Sequence, residues 1–310
     1  MHEKRIVFLG PTAFLKDPEQ MQRAWPREEA LAYTRWLATH HYENFQVVSF
    51  LLPKRLHQDF YNVYAFCRWS DDLGDEIGDT QESLRLLSWW RGELQAMFAG
   101  RANHPVFVAL QPTVAEHKLP MEPFDHLIQA FEQDQTVTRY QNFEELFEYC
   151  RYSANPVGRL VLGLCGYQDA GRQALSDATC TALQLANFWQ DVIVDLQKDR
   201  VYLPLDILER NGYPLEDLFA RRFDDRFRRA MKEAVGVARE LFLKGLPLAG
   251  QVDRRLAIDL ELFSRGGLKI LEKIERQDYD VLRARPAISK AERVGLLLSA
   301  LTRRAFSRAA

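Results

Sequence analysis

Gln184, Asn187, Asp191 and Asp195 fall at spacings of three, four and four along the chain. The residues between them are Leu185, Ala186, Phe188, Trp189, Val192, Ile193 and Val194, with Gln190 beside Asp191. On a helix those spacings draw one narrow polar stripe along an otherwise apolar rod. Like charges four residues apart cost a helix about 0.2–0.5 kcal/mol. The cost rises steeply if the pair is desolvated without a partner. A helix of this composition therefore needs a cation beside it.

A second stripe has the same design. Tyr61, Tyr64, Arg68, Asp71 and Asp75 step by three or four against Val63, Ala65, Phe66, Trp69 and Leu73. Asp72 and Glu76 form a neighbouring pair, also four apart. The ordinary alternative for either stripe is a solvated acidic face, and the dense charge of 71–76 suits it better than 184–195 does. Scattered arginines could serve a structural network, but a divalent ion suits two carboxylates on one helical face better. The donors are hard oxygens, and no thiolate pair or histidine pair stands at ligand spacing. That argues for Mg²⁺ over zinc or copper. Mg²⁺ is usually held by one or two carboxylates together with substrate phosphates, so a diphosphate-bearing substrate is expected. Arg68, in register one turn before Asp71, is the best placed of the basic residues that could hold phosphate oxygens. Lys198, Arg200, Arg283 and Arg285 are the others. Ionisation of such a substrate leaves a carbocation, which Phe45, Tyr64 or Phe188 could face. Core packing is the more ordinary role of each.

Helical periodicity runs through 28–50, 57–78, 80–99, 122–134, 143–166, 171–197, 223–246, 252–277 and 289–308. Alternating strand patterns are scarce and no linker separates the segments, which predicts one all-α domain over 1–310. Gly266-Gly267 lies inside a helical pattern, so it is neither a dinucleotide turn nor a phosphate loop. With 41 basic and 43 acidic residues, the net charge of -2 gives nucleic acid no electrostatic footing. Cys67, Cys150, Cys165 and Cys180 lack metal or redox spacing and read as small buried groups of a reduced, cytoplasmic protein. The start, MHEKRIVFLGPTAF, has a basic beginning but only a short apolar run, broken by Gly10 and Pro11, so no secretory leader is expected there. Val294–Leu301, flanked by Arg293 and by Arg303-Arg304, suits a terminal amphipathic helix on the core better than one lying on a membrane.

Four motifs in order resemble the squalene and phytoene synthase family over about residues 30–290. They are His41-Tyr-Glu-Asn-Phe45, Tyr64-Ala-Phe-Cys-Arg-x-x-Asp-Asp-x-x-Asp-Glu76, Tyr149-Cys-x-x-Ser-Ala-Asn-Pro-Val-Gly158, and Gln184-x-x-Asn-x-x-x-Asp-x-x-x-Asp195 followed by Asp199-Arg-x-Tyr-Leu-Pro204. The resemblance implies a helical isoprenoid-synthase fold with a central cavity. It implies Mg²⁺ on Asp71, Asp75, Asp191 and Asp195, with Asn187 and Gln184 assisting. It also implies phosphate contacts from His41, Arg68, Arg200 and Arg285, with Tyr64, Tyr149 and Tyr202 lining the cavity. Members that couple two prenyl diphosphates usually carry Arg where this chain has Gln190, and many carry Tyr where it has Gly266-Gly267. Both departures resemble the hydroxysqualene synthase branch of bacterial hopanoid biosynthesis. The Gly pair is expected to leave room for a branched substrate or a water.

The expected substrate is presqualene diphosphate or another prenyl diphosphate. Companion hopanoid-pathway enzymes and peripheral contact with the inner membrane are the further expected partners. Two alternatives stay open. One is a condensing synthase making presqualene diphosphate, squalene or phytoene; the other is a non-catalytic relative that kept the fold.

Overall fold

The computed structural model describes residues 7–40, 52–289, 291–292 and 295–296. Among them no strand is present; a single isolated bridge pairs Arg139 with Val201. The chain is all-α, as the periodicity predicts. It divides into two compact units, one within Met1–Thr136 plus Leu160–Tyr167 and one within Val137–Arg159 plus Gln168–Ala310.

The first unit contains α1 (Pro11–Phe14), α2 (Pro18–Gln22), α3 (Arg27–His40), α4 (His57–Asp75), α5 (Thr80–Phe98), α6 (Pro105–His117) and α7 (Glu122–Gln133). Helix α4 packs against α3, α5, α6 and α7 and is the hub of the unit. Its inward residues Phe60, Val63, Phe66, Trp69 and Leu73 recur every three or four positions and are buried. Trp69 and Trp90 stack at 5.1 Å, and Phe66 meets the edge of Phe124 at 5.0 Å. Polar groups in this core are paired. Asn62 donates to Ala109 O and Thr113 Oγ1, both at 3.0 Å, and accepts from Thr34 Oγ1 at 2.7 Å, tying α3, α4 and α6 together.

Helix α6 was not expected from the sequence, where Asn103–Pro105 reads as a turn. That turn is a helix start. His104 Nδ1 accepts from Val106 N at 3.3 Å as the N-cap, and Pro105 occupies the first turn. Val106, Val108, Thr113, Val114 and the internal Pro112 hide the periodicity, because β-branched residues and proline are weak helix formers. His104 is packed among Phe14, Trp69 and Trp90 rings. Burial pushes its imidazole down to about 3 and keeps it neutral.

The second unit holds α8 (Phe143–Ser153), α10 (Ala170–Gln197), α11 (Leu205–Arg210), α12 (Leu215–Phe219), α13 (Asp225–Gly245) and α14 (Arg254–Arg276). Helix α9 (Asn155–Leu164) begins in this unit and its later residues belong to the first. The expected segment 143–166 is thus two helices, broken at Ala154 just ahead of Pro156. Helix α10 packs on α8, α13 and α14 and is the hub here. Trp189, fully buried, donates its indole N–H to Ala234 O at 3.1 Å. The expected helices beyond residue 40 of 28–50 and over most of 289–308 lie outside the described residues. Among the described residues no helix is long and apolar enough to cross a membrane.

The glycine pair on α14 splits into two different roles. A Cβ on Gly267 would fall 2.1 Å from the Phe242 ring of α13, so this glycine admits a helix-to-helix contact. A Cβ on Gly266 would meet nothing within 4 Å. The expectation that both glycines leave room is therefore corrected: the space beside Gly267 is filled by Phe242. Gly267→Ala should destabilise by about 1–3 kcal/mol through overpacking. Gly266→Ala should raise stability by up to about 1 kcal/mol through helix propensity. Urea unfolding of the two variants checks the opposite signs.

Candidate active site

The carboxylates of both stripes sit at the C-terminal end of a hub helix. Asp71 and Asp75 fall in the last turns of α4, and Asp191 and Asp195 in the last two turns of α10. The C-terminal end of a helix carries the partial negative charge of its unpaired carbonyls. Carboxylates there are disfavoured twice, by each other and by the helix. The sequence spacing shows the first penalty but not the second.

On α4 the acidic cluster is divided. Asp72 is buried, while Asp75 and Glu76 are exposed and Asp71 is 44% exposed. Arg68 pairs with Asp72 and, at 3.3 Å, with Asp71. Burial pushes the Asp72 carboxyl up to about 6, with Arg68 opposing and Asp71 and Glu76 adding to the rise. Arg68 is thus partly committed to its own helix. Its Nε is nonetheless buried without a hydrogen-bond acceptor among the described residues, which leaves a donor for an anion. Tyr64, one turn earlier, is partly exposed, and burial raises its phenol.

On α10 the stripe lies open on one side. Leu185, Ala186, Phe188, Trp189 and Val192 are buried, Asn187 is exposed, and Gln184, Asp191 and Asp195 are partly exposed. Burial pushes Asp195 up to about 7; Asp191 adds to the rise, and Arg200, Lys198 and Arg285 oppose it. Arg285, 94 residues beyond Asp191, grips both carboxylate oxygens, Nε on Oδ1 and Nη2 on Oδ2, the latter at 3.2 Å. Gln190 does not face that carboxylate with its amide. It donates Nε2 to Pro286 O at 2.5 Å.

Beyond α10 the chain turns at Asp199, whose φ of 55° is left-handed. Arg139 holds Asp199 Oδ1 at 2.6 Å, and Val201 N donates to Thr138 O at 2.9 Å. This lays Tyr202 flat on Phe188 at 3.7 Å and 6°. Tyr149 lies 6.2 Å from Phe188 and 6.1 Å from Tyr202. A small hollow beside the stack is lined by Phe188, Asp195, Leu196, Arg200, Tyr202 and Leu218. The structure therefore brings Asp195, Arg200, Phe188 and Tyr202 together, and places Asp191 with Gln190 and Arg285. His41 and Phe45 lie outside the described residues.

The donors fit a hard divalent ion: two pairs of carboxylates on partly open helix ends, with amide oxygens from Asn187 and Gln184 one or two turns earlier on α10. A third acidic group went unmarked in the sequence. Asp59, Glu116 and His117 bring their ligand atoms within 4.8 Å of one another. Asp59 already accepts from Thr113 Oγ1 at 2.7 Å and contacts His117 at 3.2 Å, which suits a structural network. It lies 12 residues before Asp71 on α4, about 18 Å along the axis.

The squalene/phytoene synthase family model matches residues 38–292, and the chain belongs to that family of enzymes acting on prenyl diphosphates. Its fold is the helical isoprenoid-synthase fold. The chain is similar to the squalene synthase HpnC from Alicyclobacillus acidocaldarius, at 47% identity and a TM-score of 0.78, over 86% of this chain and 98% of that one. It is 32% identical to the hydroxysqualene synthase of Rhodopseudomonas palustris over 276 residues, 87% of this chain and 93% of that protein. It is 31% identical to a chloroplastic phytoene synthase of an Oncidium hybrid cultivar over 261 residues, 81% of this chain. The match spans 63% of that longer plant protein.

The raised Asp195 gives a signed prediction for the metal-free chain. Its folded value of about 7 exceeds the ordinary 3.8, so its contribution to stability is full below about 4 and is lost as pH rises through about 7. Asp195→Asn removes the titration. Its melting temperature relative to the parent should climb between about pH 4 and pH 7; a constant difference in melts across that range would refute the assignment.

Proposed function

We propose that this chain is a hydroxysqualene synthase. It takes presqualene diphosphate, breaks the bond from carbon to the diphosphate oxygen, rearranges the cyclopropylcarbinyl cation and lets water capture it. The electron pair leaves with the diphosphate, the water oxygen forms the new bond to carbon, and the surplus proton leaves with solvent or diphosphate. Hydroxysqualene and diphosphate are the products.

The observation that carries this reading is the α10 helix end. Asp191 and Asp195 are paired there on a partly open face, with the neutral Gln190 between the stripe and Pro286. An enzyme that ionises one diphosphate needs less fixed positive charge than one that holds two. The likeness to a hydroxysqualene synthase over most of both chains supports the same reading.

The roles follow from the donors. Asp71 and Asp75, and Asp191 and Asp195 assisted by Asn187 and Gln184, would hold Mg²⁺, and the chain would act as a single synthase domain over 1–310. When bound, Mg²⁺ neutralises charge on the departing diphosphate. Arg68, Arg200, Arg285 and His41 bind phosphate oxygens as charge-assisted donors. Tyr64, Phe45 and the Phe188–Tyr202–Tyr149 group present aromatic faces to the hydrocarbon and its cation. Gly266, with nothing within 4 Å of its Cβ direction, is the member of the glycine pair that leaves room. The reaction would run in the cytoplasm, and the apolar substrate and product favour transient contact with a membrane surface and with neighbouring hopanoid enzymes.

A condensing synthase is the second reading, favoured by the likeness to phytoene synthase. The purified chain with Mg²⁺ in H₂¹⁸O separates the two. Presqualene diphosphate should give hydroxysqualene carrying ¹⁸O, and farnesyl diphosphate alone should give no product by mass spectrometry. Presqualene diphosphate, squalene or phytoene formed from prenyl diphosphate pairs would establish the second reading instead.

A further inference from the structure

Asp191 needs a cation, and among the described residues the one seated on its carboxylate is Arg285. Both oxygens of Asp191 are taken by its guanidinium. The Asp191 side chain is only 17% exposed, so few other directions of approach remain. A guanidinium and a divalent ion cannot share the same open edge of one carboxylate.

Arg285 reaches that edge on a built segment rather than on a loose tail. Past α14 the chain passes through Asp278 and Tyr279, both left-handed at φ 56° and 63°. Gln277 Nε2 donates to Asp280 O at 3.0 Å and to Ala284 O at 3.2 Å. Arg283 N donates to Asp280 Oδ1 at 3.1 Å. A further tie is Gln190 Nε2 on Pro286 O, one residue from Arg285 and one residue from Asp191. The amide and the ion pair thus form a two-point clasp between adjacent residues of α10 and adjacent residues of the strap.

We propose that Arg285 is an internal stand-in cation that competes with the divalent metal for Asp191, and that Gln190 is the positioning residue that holds it there. The inference rests on the reading of Asp191 as a metal ligand. Its consequence is coupling. Metal alone must displace Arg285 and leave that guanidinium without its carboxylate. Metal arriving with an anion gives the displaced guanidinium a new partner. The clasp therefore disfavours metal loading before the diphosphate is present.

The test is the affinity of the substrate-free full chain for Mn²⁺, read by electron paramagnetic resonance. Arg285→Met should tighten Mn²⁺ binding about fivefold, the size of one partly exposed ion pair. Gln190→Leu, which keeps both charges but removes the amide donor, should shift it the same way and less. Arg285→Lys, which keeps charge without the fork, should fall between the parent and Arg285→Met. Adding inorganic diphosphate should strengthen protein-bound Mn²⁺ in the parent more than in Arg285→Met. A merely structural strap would lower the melting temperature of these variants without tightening Mn²⁺. Unchanged or weaker binding in both Arg285→Met and Gln190→Leu overturns the proposal. Mn²⁺ binding indifferent to Asp191→Asn would remove the metal reading of Asp191 itself, and the competition with it; this outcome differs from a failure of the clasp alone.

Discussion

Each compact unit is organised around one helix, and each of those helices ends in paired carboxylates that its own dipole repels. Helices α4 and α10 cannot move away from this conflict, because their other faces are the cores of their units. Trp69, Phe66 and Leu73 fix α4 by burial, and Trp189, Leu185 and Val192 fix α10. Burying side chains of this size contributes about 1.5–3 kcal/mol each, far more than the few tenths lost at each acidic pair. The packing therefore decides where the carboxylates stand, and the local electrostatics must be met by something else. Within the chain that something is arginine: Arg68 beside Asp71 and Asp72, and Arg285 on Asp191.

This arrangement joins stability to chemistry. Helices packed on several sides position side chains more precisely than loops do, so the carboxylates on α4 and α10 are held by the cores of their units. The neutral Gln190 is useful in this setting. Its amide engages a backbone carbonyl, whereas an arginine there would add charge beside Asp191. Loss of fixed charge at 190 and delivery of charge from 285 are two sides of one layout.

Much of this was legible in the sequence because it is local and periodic. The stripes at 61–75 and 184–195, their apolar backgrounds and the helices that carry them are repeats of three and four residues. What was not legible has a physical reason in each case. Helix α6 is concealed by Pro112 and its valines, and its histidine cap looks like a turn. Spacing marked Asp71 and Asp72 alike as acidic; only packing shows that Asp72 is the buried one. Gly266 and Gly267 are neighbours in the sequence, yet only Gly267 faces Phe242. The Arg285 clasp joins residues 94 positions apart, and the Asp59–Glu116–His117 group joins two helices; neither leaves a pattern in local spacing. His41, read from the resemblance, and Phe45, read as an aromatic face for the cation, lie outside the described residues.

Under the proposed function, the carboxylates at the end of α4 and those at the end of α10 hold divalent metal that meets diphosphate oxygens. Anomalous scattering from crystals grown with Mn²⁺ and inorganic diphosphate tests it most directly. The expected result is manganese density on Asp71 and Asp75 and on Asp191 and Asp195, with diphosphate oxygens completing the coordination. Density confined to Asp59, Glu116 and His117, or none at either helix end, would contradict it.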